Sequence, residues 1–226
     1  MRFVKPGFVK IYTMELFIIF AFLVAAYLLG AIPTAVWVGQ AYYGIDVRQH
    51  GSGNAGATNT FRVLGKKPGA FVMLVDILKG WAATSLANFL VMLEVISPEK
   101  LVLFKIIMGI LAVIGHIFPV YVGFKGGKGV ATLMGMVLAI QPVAALICLG
   151  IFMVVLLVFK YVSLGSMLAA VAFPLLLLLP RFHPDEPLLI VFGFILSLLV
   201  ILTHKKNIGR LLQGQESKIY LLKKKE

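Results

Sequence analysis

Three stretches of this 226-residue chain carry glycines, small hydroxyl and amide side chains and basic residues at spacings suited to an anion. The first is Gly51-Ser52-Gly53-Asn54-Ala55-Gly56-Ala57-Thr58-Asn59, followed by Arg62. Glycines let backbone N–H groups turn toward phosphate with no Cβ in the way. Ser52, Thr58 and Asn59 add neutral donors. The glycines match the dinucleotide spacing G-x-G-x-x-G, but no strand precedes them and the next apolar segment is long enough to span a membrane, so the βαβ context is missing. The second stretch is Gly115-His116-Ile117-Phe118-Pro119, then Gly123-Phe124-Lys125-Gly126-Gly127-Lys128-Gly129-Val130-Ala131-Thr132. It lacks the Walker A spacing. Two lysines among glycines at a helix start still make a phosphate cradle, from charge, free N–H groups and the helix dipole. The third is His204-Lys205-Lys206-Asn207-Ile208-Gly209-Arg210, whose His204, Asn207 and Arg210 fall on one face of a helix. Basic interfacial turns and polybasic juxtamembrane helices have similar compositions.

The remaining titratable groups are sparse. Asp76 and Lys79 lie at i, i+3 inside an apolar run and read as a structural ion pair. Ser163-Leu164-Gly165-Ser166 opens another run, where small residues commonly pack helices. His50 and His183 have no constellation around them. No carboxylate cluster suits Mg²⁺ or Zn²⁺, and the single cysteine, Cys148, permits no internal disulfide and no cysteine metal site. The expectation is a site with no metal and no cofactor.

Such segments must be held by something, and composition says what. Hydrophobic residues make up 61% of the chain and charged residues 13%, about half the charged share of a soluble domain, roughly 25%. Apolar runs lie near residues 14–39, 69–93, 101–122, 129–159, 162–180 and 188–203. Several have the length of about 20 residues that crosses a bilayer as a helix. Their continuity excludes a β-barrel, which alternates. The predicted class is an all-α polytopic membrane protein. The first run is too long for a signal-peptide core. Residues 1–13 read as an extension ahead of a second methionine, Met14; residues 14–216 as one membrane-embedded domain; and residues 217–226 as a basic cytoplasmic tail.

Charge sets the expected sidedness. The net charge is +12, which in a membrane protein reflects basic cytoplasmic loops rather than nucleic-acid binding. Segments 40–67 and 123–128, Lys160 and the tail hold most of the lysines and arginines and are predicted to be cytoplasmic. Lys128 and Lys160 then share a side, although one crossing cannot return a chain to its starting side. A single helix over 129–159 would be about 46 Å long against a core of roughly 30 Å. Gln141-Pro142 sits near its middle, and proline breaks helices. The run is therefore split into 129–140 and 143–159. This gives seven transmembrane helices, with the N-terminus outside and the C-terminus cytoplasmic. A five-span version folds 129–159 back without crossing.

At these residues the sequence resembles a known family, the bacterial acyl-phosphate:glycerol-3-phosphate acyltransferases, or PlsY family. The resemblance rests on Tyr27-Leu28-Leu29-Gly30-Ala31-Ile32-Pro33, on Asp46-x-Arg48 with the glycine segment through Asn59, and on Asp76-x-x-Lys79-Gly80. It continues with Gly115-His116 through Thr132, with Ser163 to Ser166, and with His204-x-x-Asn207-Ile208-x-Arg210-Leu211-Leu212-x-Gly214-x-Glu216. Ala31 stands where a serine is expected. The resemblance implies seven spans and transfer of a fatty acyl group from acyl phosphate to the 1-hydroxyl of sn-glycerol 3-phosphate. The products would be lysophosphatidic acid and phosphate, made at the cytoplasmic face of the bacterial inner membrane. The enzyme that makes acyl phosphate is the implied soluble partner, the bilayer is its surroundings, and no nucleic acid is involved.

Site roles follow from that match. Gly51, Ser52, Gly53, Asn54, Thr58, Asn59 and Arg62 would bind phosphate. Lys125 and Lys128 with Gly126, Gly127 and Gly129 would hold the glycerol phosphate or the acyl-phosphate head, with His116 beside them, and Ser166 would touch one of these phosphates. His204 and Asn207 would orient the acceptor, with His204 the candidate base. Ser52, Arg62, His204 and Asn207 form the expected catalytic set, and Glu216 would fix the tail to the basic cluster. A transporter for a phosphorylated metabolite is the rival from another class. The large acyl-CoA-dependent acyltransferases carry His-x4-Asp, which is absent: positions 55, 121, 188 and 209 are Ala55, Tyr121, Leu188 and Gly209.

Overall fold

A computed structural model describes residues 6–219, with side chains from residue 13 onward. Arg2 and Lys5 of the N-terminal extension, and Lys223, Lys224 and Lys225 of the basic tail, lie outside these residues. Among the described residues the regular elements are helices and short 3-10 turns, with no strand. The helices are α1 (Pro6–Gly30), α2 (Thr34–Tyr43), α3 (Ala57–Val63), α4 (Lys66–Met92), α5 (Leu101–Ile117), α6 (Val130–Ile140), α7 (Pro142–Phe159), α8 (Val162–Leu177), α9 (Pro187–Thr203) and α10 (Lys205–Leu212).

Four of the described helical stretches are long and apolar enough to cross a membrane, within α1, α4, α5 with its flanking 3-10 turns, and α7. The pair α9 and α10, bent by 59°, makes a fifth when taken as one broken span. α6 and α8 are apolar but shorter. Large apolar side chains such as Phe17, Phe20, Leu146, Val158 and Leu198 cover the outer surface, as expected where the solvent is lipid rather than water.

Two boundaries differ from the apolar runs. The run 14–39 is not one helix: α1 stops at Gly30 and α2 starts at Thr34. Pro33 explains the break, because it has no N–H and disfavours helical geometry at the residue before it. α1 also runs without interruption from Pro6, across the boundary drawn at Met14. The long run 129–159 does divide at Gln141-Pro142, into α6 and α7.

Helices approach closely where glycine removes a side chain. A Cβ on Gly80 of α4 would stand 2.1 Å from the Thr132 carbonyl oxygen, and one on Gly135 of α6 would stand 1.9 Å from the Ile77 carbonyl oxygen. α4 and α6 therefore touch backbone to backbone, the contact small residues permit between membrane helices. Two apolar clusters flank this crossing. One joins α1, α4 and α5 through Ala26, Ala83, Leu90, Met108 and Ala112. The other joins α6 to α9 through Val137, Ala144, Cys148, Phe173 and Leu196.

The α6–α7 break needs its own donor, since the last carbonyls of a helix have no N–H of their own helix to accept from. Lys105 on α5 supplies one, donating from Nζ to the Ala139 carbonyl at 3.0 Å. A hydrogen bond from a charged group contributes about 1.5–3 kcal/mol. Lys105→Met is expected to lower the thermal midpoint by several degrees while kcat of the folded protein stays at the wild-type value. An unchanged midpoint would remove Lys105 from the role of cap for α6.

Candidate active site

Three segments far apart in sequence enclose one cavity of about 350 Å³. Its mouth is polar and its interior apolar. α3 and the glycine segment before it contribute Ser52, Asn54, Thr58, Asn59 and Arg62 to the wall. The start of α6 contributes Lys128 and Gly129, and the α9–α10 bend contributes His204, Asn207 and Arg210. Ser163, Ser166 and Glu216 close the remaining side, while Met134, Val137, Cys148, Phe152, Phe173 and Leu196 line the interior.

The α9–α10 bend gathers the polar core. His204 sits at the bend, so Asn207 and Arg210, one and two turns on, face the same way. The buried Asn207 amide is a relay. Its Oδ1 accepts from Lys128 Nζ at 2.7 Å, and its Nδ2 donates to Glu216 Oε1 at 2.8 Å. Glu216 is 3% exposed at its side chain. It also accepts from Ser163 Oγ at 2.9 Å and from Arg210 Nε at 2.8 Å. The tail is pinned further by the Ile219 N–H, which donates to the Lys160 carbonyl at 2.8 Å.

Electrostatics follow from this packing. Burial pushes the Glu216 carboxyl up, but the hydrogen bonds from Asn207, Arg210 and Ser163 outweigh it and hold the group below the usual carboxylate range. Lys128 keeps exposed surface, but partial desolvation of its ammonium draws it down, and Arg210 and Arg62 repel it while Glu216 pulls the other way. Arg62 is lowered by burial too, with Glu216 opposing and Arg210 reinforcing. Three cations around one carboxylate leave the mouth with an excess of positive charge, which favours an anionic ligand.

His204 is buried, and its Nδ1 lies 2.8 Å from the Val200 carbonyl oxygen. A carbonyl only accepts, so Nδ1 carries the proton and Nε2 of the neutral ring is left as the acceptor nitrogen.

The glycine segments work differently from one another. Asn59 is 1% exposed and braces its own loop. Its Oδ1 accepts from the Ser52 N–H at 2.8 Å and Ser52 Oγ at 3.1 Å; its Nδ2 donates to the carbonyls of Val47 and His50. Gly51 and Gly53 have positive φ within this loop and are not part of the cavity wall. Arg48 is held by Asp46 and donates to the carbonyls of Val122 and Lys125, tying the first glycine segment to the second.

In the second segment the Gly126 and Gly127 N–H groups donate to the carbonyls of Ile117 and His116. A Cβ at Gly126 would fall 1.9 Å from the His116 carbonyl oxygen. These two glycines therefore serve close packing and are not open donors to an anion. Lys125 is exposed, away from the cavity wall. The groups that do face the cavity are Lys128, Gly129 with φ +77°, and the first turn of α6. His116 lines the cavity from behind the glycines.

Polar residues outside the expected site set also line the cavity, among them Arg210, Ser163, Glu216, Lys206 and Asp76. Arg210 lies on the recognised face of α10, and Ser163 lies one turn before Ser166. Glu216, expected only to hold the tail, is the acceptor that binds Ser163, Asn207 and Arg210 together.

Comparison with known proteins gives a single answer. The family model described as glycerol-3-phosphate acyltransferase matches residues 20–214. A glycerol-3-phosphate acyltransferase of Chlorobium phaeobacteroides is 45% identical over 224 residues, covering 88% of this chain and 95% of that protein. One from Salinibacter ruber is 44% identical over 208 residues, covering 87% and 90%. The crystal structure of PlsY, an integral membrane glycerol 3-phosphate acyltransferase, in its glycerol 3-phosphate form is 36% identical. It superposes with a TM-score of 0.75 over 89% of this chain and 96% of that one. The lysophosphatidic acid form of PlsY is 35% identical, with a TM-score of 0.74 over 89% and 95%. This multi-pass membrane chain belongs to the glycerol-3-phosphate acyltransferase family that includes PlsY.

Proposed function

We propose that the chain transfers a fatty acyl group from an acyl phosphate to the 1-hydroxyl of sn-glycerol 3-phosphate, at the cytoplasmic face of the bacterial inner membrane. The observation that carries this reading is the two-part cavity, with Arg62, Lys128 and Arg210 at the mouth and an apolar interior. Both substrates carry phosphate and one carries a hydrocarbon chain, so a cationic mouth over an apolar shaft suits the pair. Along α8 the wall runs from Ser163 to Phe173, a rise of about 15 Å, or half of the roughly 30 Å bilayer core. Seven crossings, through α1, α4, α5, α6, α7, α8 and α9, would put segments 40–67 and 123–128, Lys160 and the tail on the cytoplasmic side, with residues 1–13 outside.

In the reaction the acceptor oxygen bonds to the acyl carbonyl carbon, the carbonyl–phosphate oxygen bond breaks, and phosphate leaves. An acyl phosphate is a mixed anhydride with a good leaving group, so no covalent serine is needed. Arg62 and Lys128 neutralise the phosphates, aided by the N–H groups that open α6. Asn207 and Ser166 align the acceptor, and fixing its hydroxyl against the carbonyl removes up to about 7–11 kcal/mol of the barrier. His204 Nε2 takes the hydroxyl proton. One phosphate is expected per lysophosphatidic acid formed; lysophosphatidic acid without phosphate would contradict an acyl phosphate donor.

His204→Gln tests the proton route. It keeps a polar side chain but removes the base, and a general base is worth about 10²–10⁴-fold. A loss of at least about 100-fold in kcat is expected. Near-wild-type turnover would move the proton to a substrate phosphate.

A further inference from the structure

One buried charged cluster takes no part in the mechanism above. Asp76 and Lys79 sit deep in α4, 1% and 5% exposed. Lys79 Nζ lies 2.8 Å from Asp76 Oδ1 and donates to the Ile32 carbonyl at 2.7 Å. That carbonyl belongs to the break between α1 and α2 made by Pro33. Thr34, just beyond the break, donates from Oγ1 to Asp76 Oδ1 at 3.5 Å. From the opposite side His116, at the end of α5, brings Nδ1 to 3.5 Å from the same oxygen. Removing ions from water is costly, and a lone ion pair would not need a histidine from another helix.

The other edge of the His116 ring explains its presence. A Cβ on Gly127 would stand 2.3 Å from His116 Nε2, so the ring lies flush against the glycine loop. The Gly127 N–H donates to the His116 carbonyl at 3.2 Å. The next residue is Lys128, whose Nζ reaches Asn207. His116 Nδ1 is buried beside Asp76 Oδ1 with no hydrogen bond of its own, Nε2 lies against Gly127, and Asp76 and His116 both line the cavity behind Lys128.

We propose that Asp76 and His116 are positioning residues for the acyl transfer: Asp76 orients the His116 ring, and the ring sets the height of Gly127 and so of Lys128 at the mouth. This rests on the reading of Lys128 as a phosphate ligand. The sequence suggested substrate contact for His116; the positioning role proposed here acts through Gly127 and Lys128.

The test is a double-mutant cycle in the full-length protein, read by product formation, by binding of labelled glycerol 3-phosphate and by thermal midpoint. The charge-neutral pair Asp76→Asn with Lys79→Met avoids an unpaired buried ammonium. It is expected to lower the midpoint by several degrees, since the Ile32 carbonyl loses its donor, and in the folded protein to lose about 100-fold in kcat/KM for glycerol 3-phosphate, the effect of a misplacement of roughly 1 Å. Added to Lys128→Ala it should cost nothing more, because residues acting through one group are not additive. His116→Phe keeps an aromatic ring, larger and without nitrogens, and leaves the ion pair intact; it should show the same loss and the same non-additivity. Wild-type kinetics in either variant, or a loss that adds in full to that of Lys128→Ala, would overturn the proposal. Wild-type protein that neither binds nor acylates glycerol 3-phosphate would overturn the reaction reading and the proposal with it.

Discussion

Lys128→Ala is expected to lower kcat/KM for glycerol 3-phosphate by about 10³-fold, the loss typical of one preorganised donor to developing charge. The lysine stands between the glycine loop and the first turn of α6, so its ammonium and the helix N–H groups address the same space. An ammonium has three donors, and Asn207 takes one of them at 2.7 Å. Partial desolvation and the neighbouring arginines disfavour its charge, and a bound phosphate would reverse that penalty. Lys128→Arg keeps the charge but not its position, because a planar fork cannot replace a compact point charge on a flexible four-carbon stem. It should recover binding more than turnover. Steady-state kinetics on folded variants decide the matter; an alanine variant within about threefold of wild type would remove Lys128 from the site.

Glu216→Ala should be the most damaging single change to the assembled mouth. It strips the acceptor from Ser163, Asn207 and Arg210 together. Removing one partner of a buried pair costs about 3–5 kcal/mol. The lower end applies, because Arg210 is 43% exposed and water screens it. Activity should fall with stability, since Asn207 then lacks the contact that aims its Oδ1 at Lys128. Glu216→Gln keeps an acceptor and loses the charge, so it should sit between alanine and wild type. The carboxyl is held below its ordinary value, so its stabilisation is complete above the unfolded value of about 4.3 and fades as pH falls through the lower folded value. Thermal midpoints should therefore drop below about pH 4 in the wild type, with that component missing in Glu216→Gln. Equal acid sensitivity in both would contradict the assignment.

Much of this architecture was legible in the residues because its causes are local. Apolar length marks the long helices, and Pro142 together with the shared sidedness of Lys128 and Lys160 divides the long run where the structure divides it. The i, i+3, i+6 spacing of His204, Asn207 and Arg210 needs only helical periodicity, and these three residues do converge. What stayed hidden depends on contacts across the chain. Pro33 carried the same breaking signal as Pro142, but no charge argument pointed at it. The short helix α3 was lost in a glycine-rich segment whose composition reads as loop. Gly126 and Gly127 fit an anion nest and a tight packing contact equally well by sequence; only the position of His116 separates the two. The bonds from Ser163 to Glu216 and from Lys128 to Asn207 join residues 53 and 79 positions apart, beyond any local pattern.

The account turns on the acyl donor. Purified protein in detergent or lipid would be given labelled glycerol 3-phosphate with either palmitoyl phosphate or palmitoyl-CoA. Lysophosphatidic acid from palmitoyl phosphate alone is the expected result; product from the CoA ester alone, or none from either donor in well-folded protein, would contradict it.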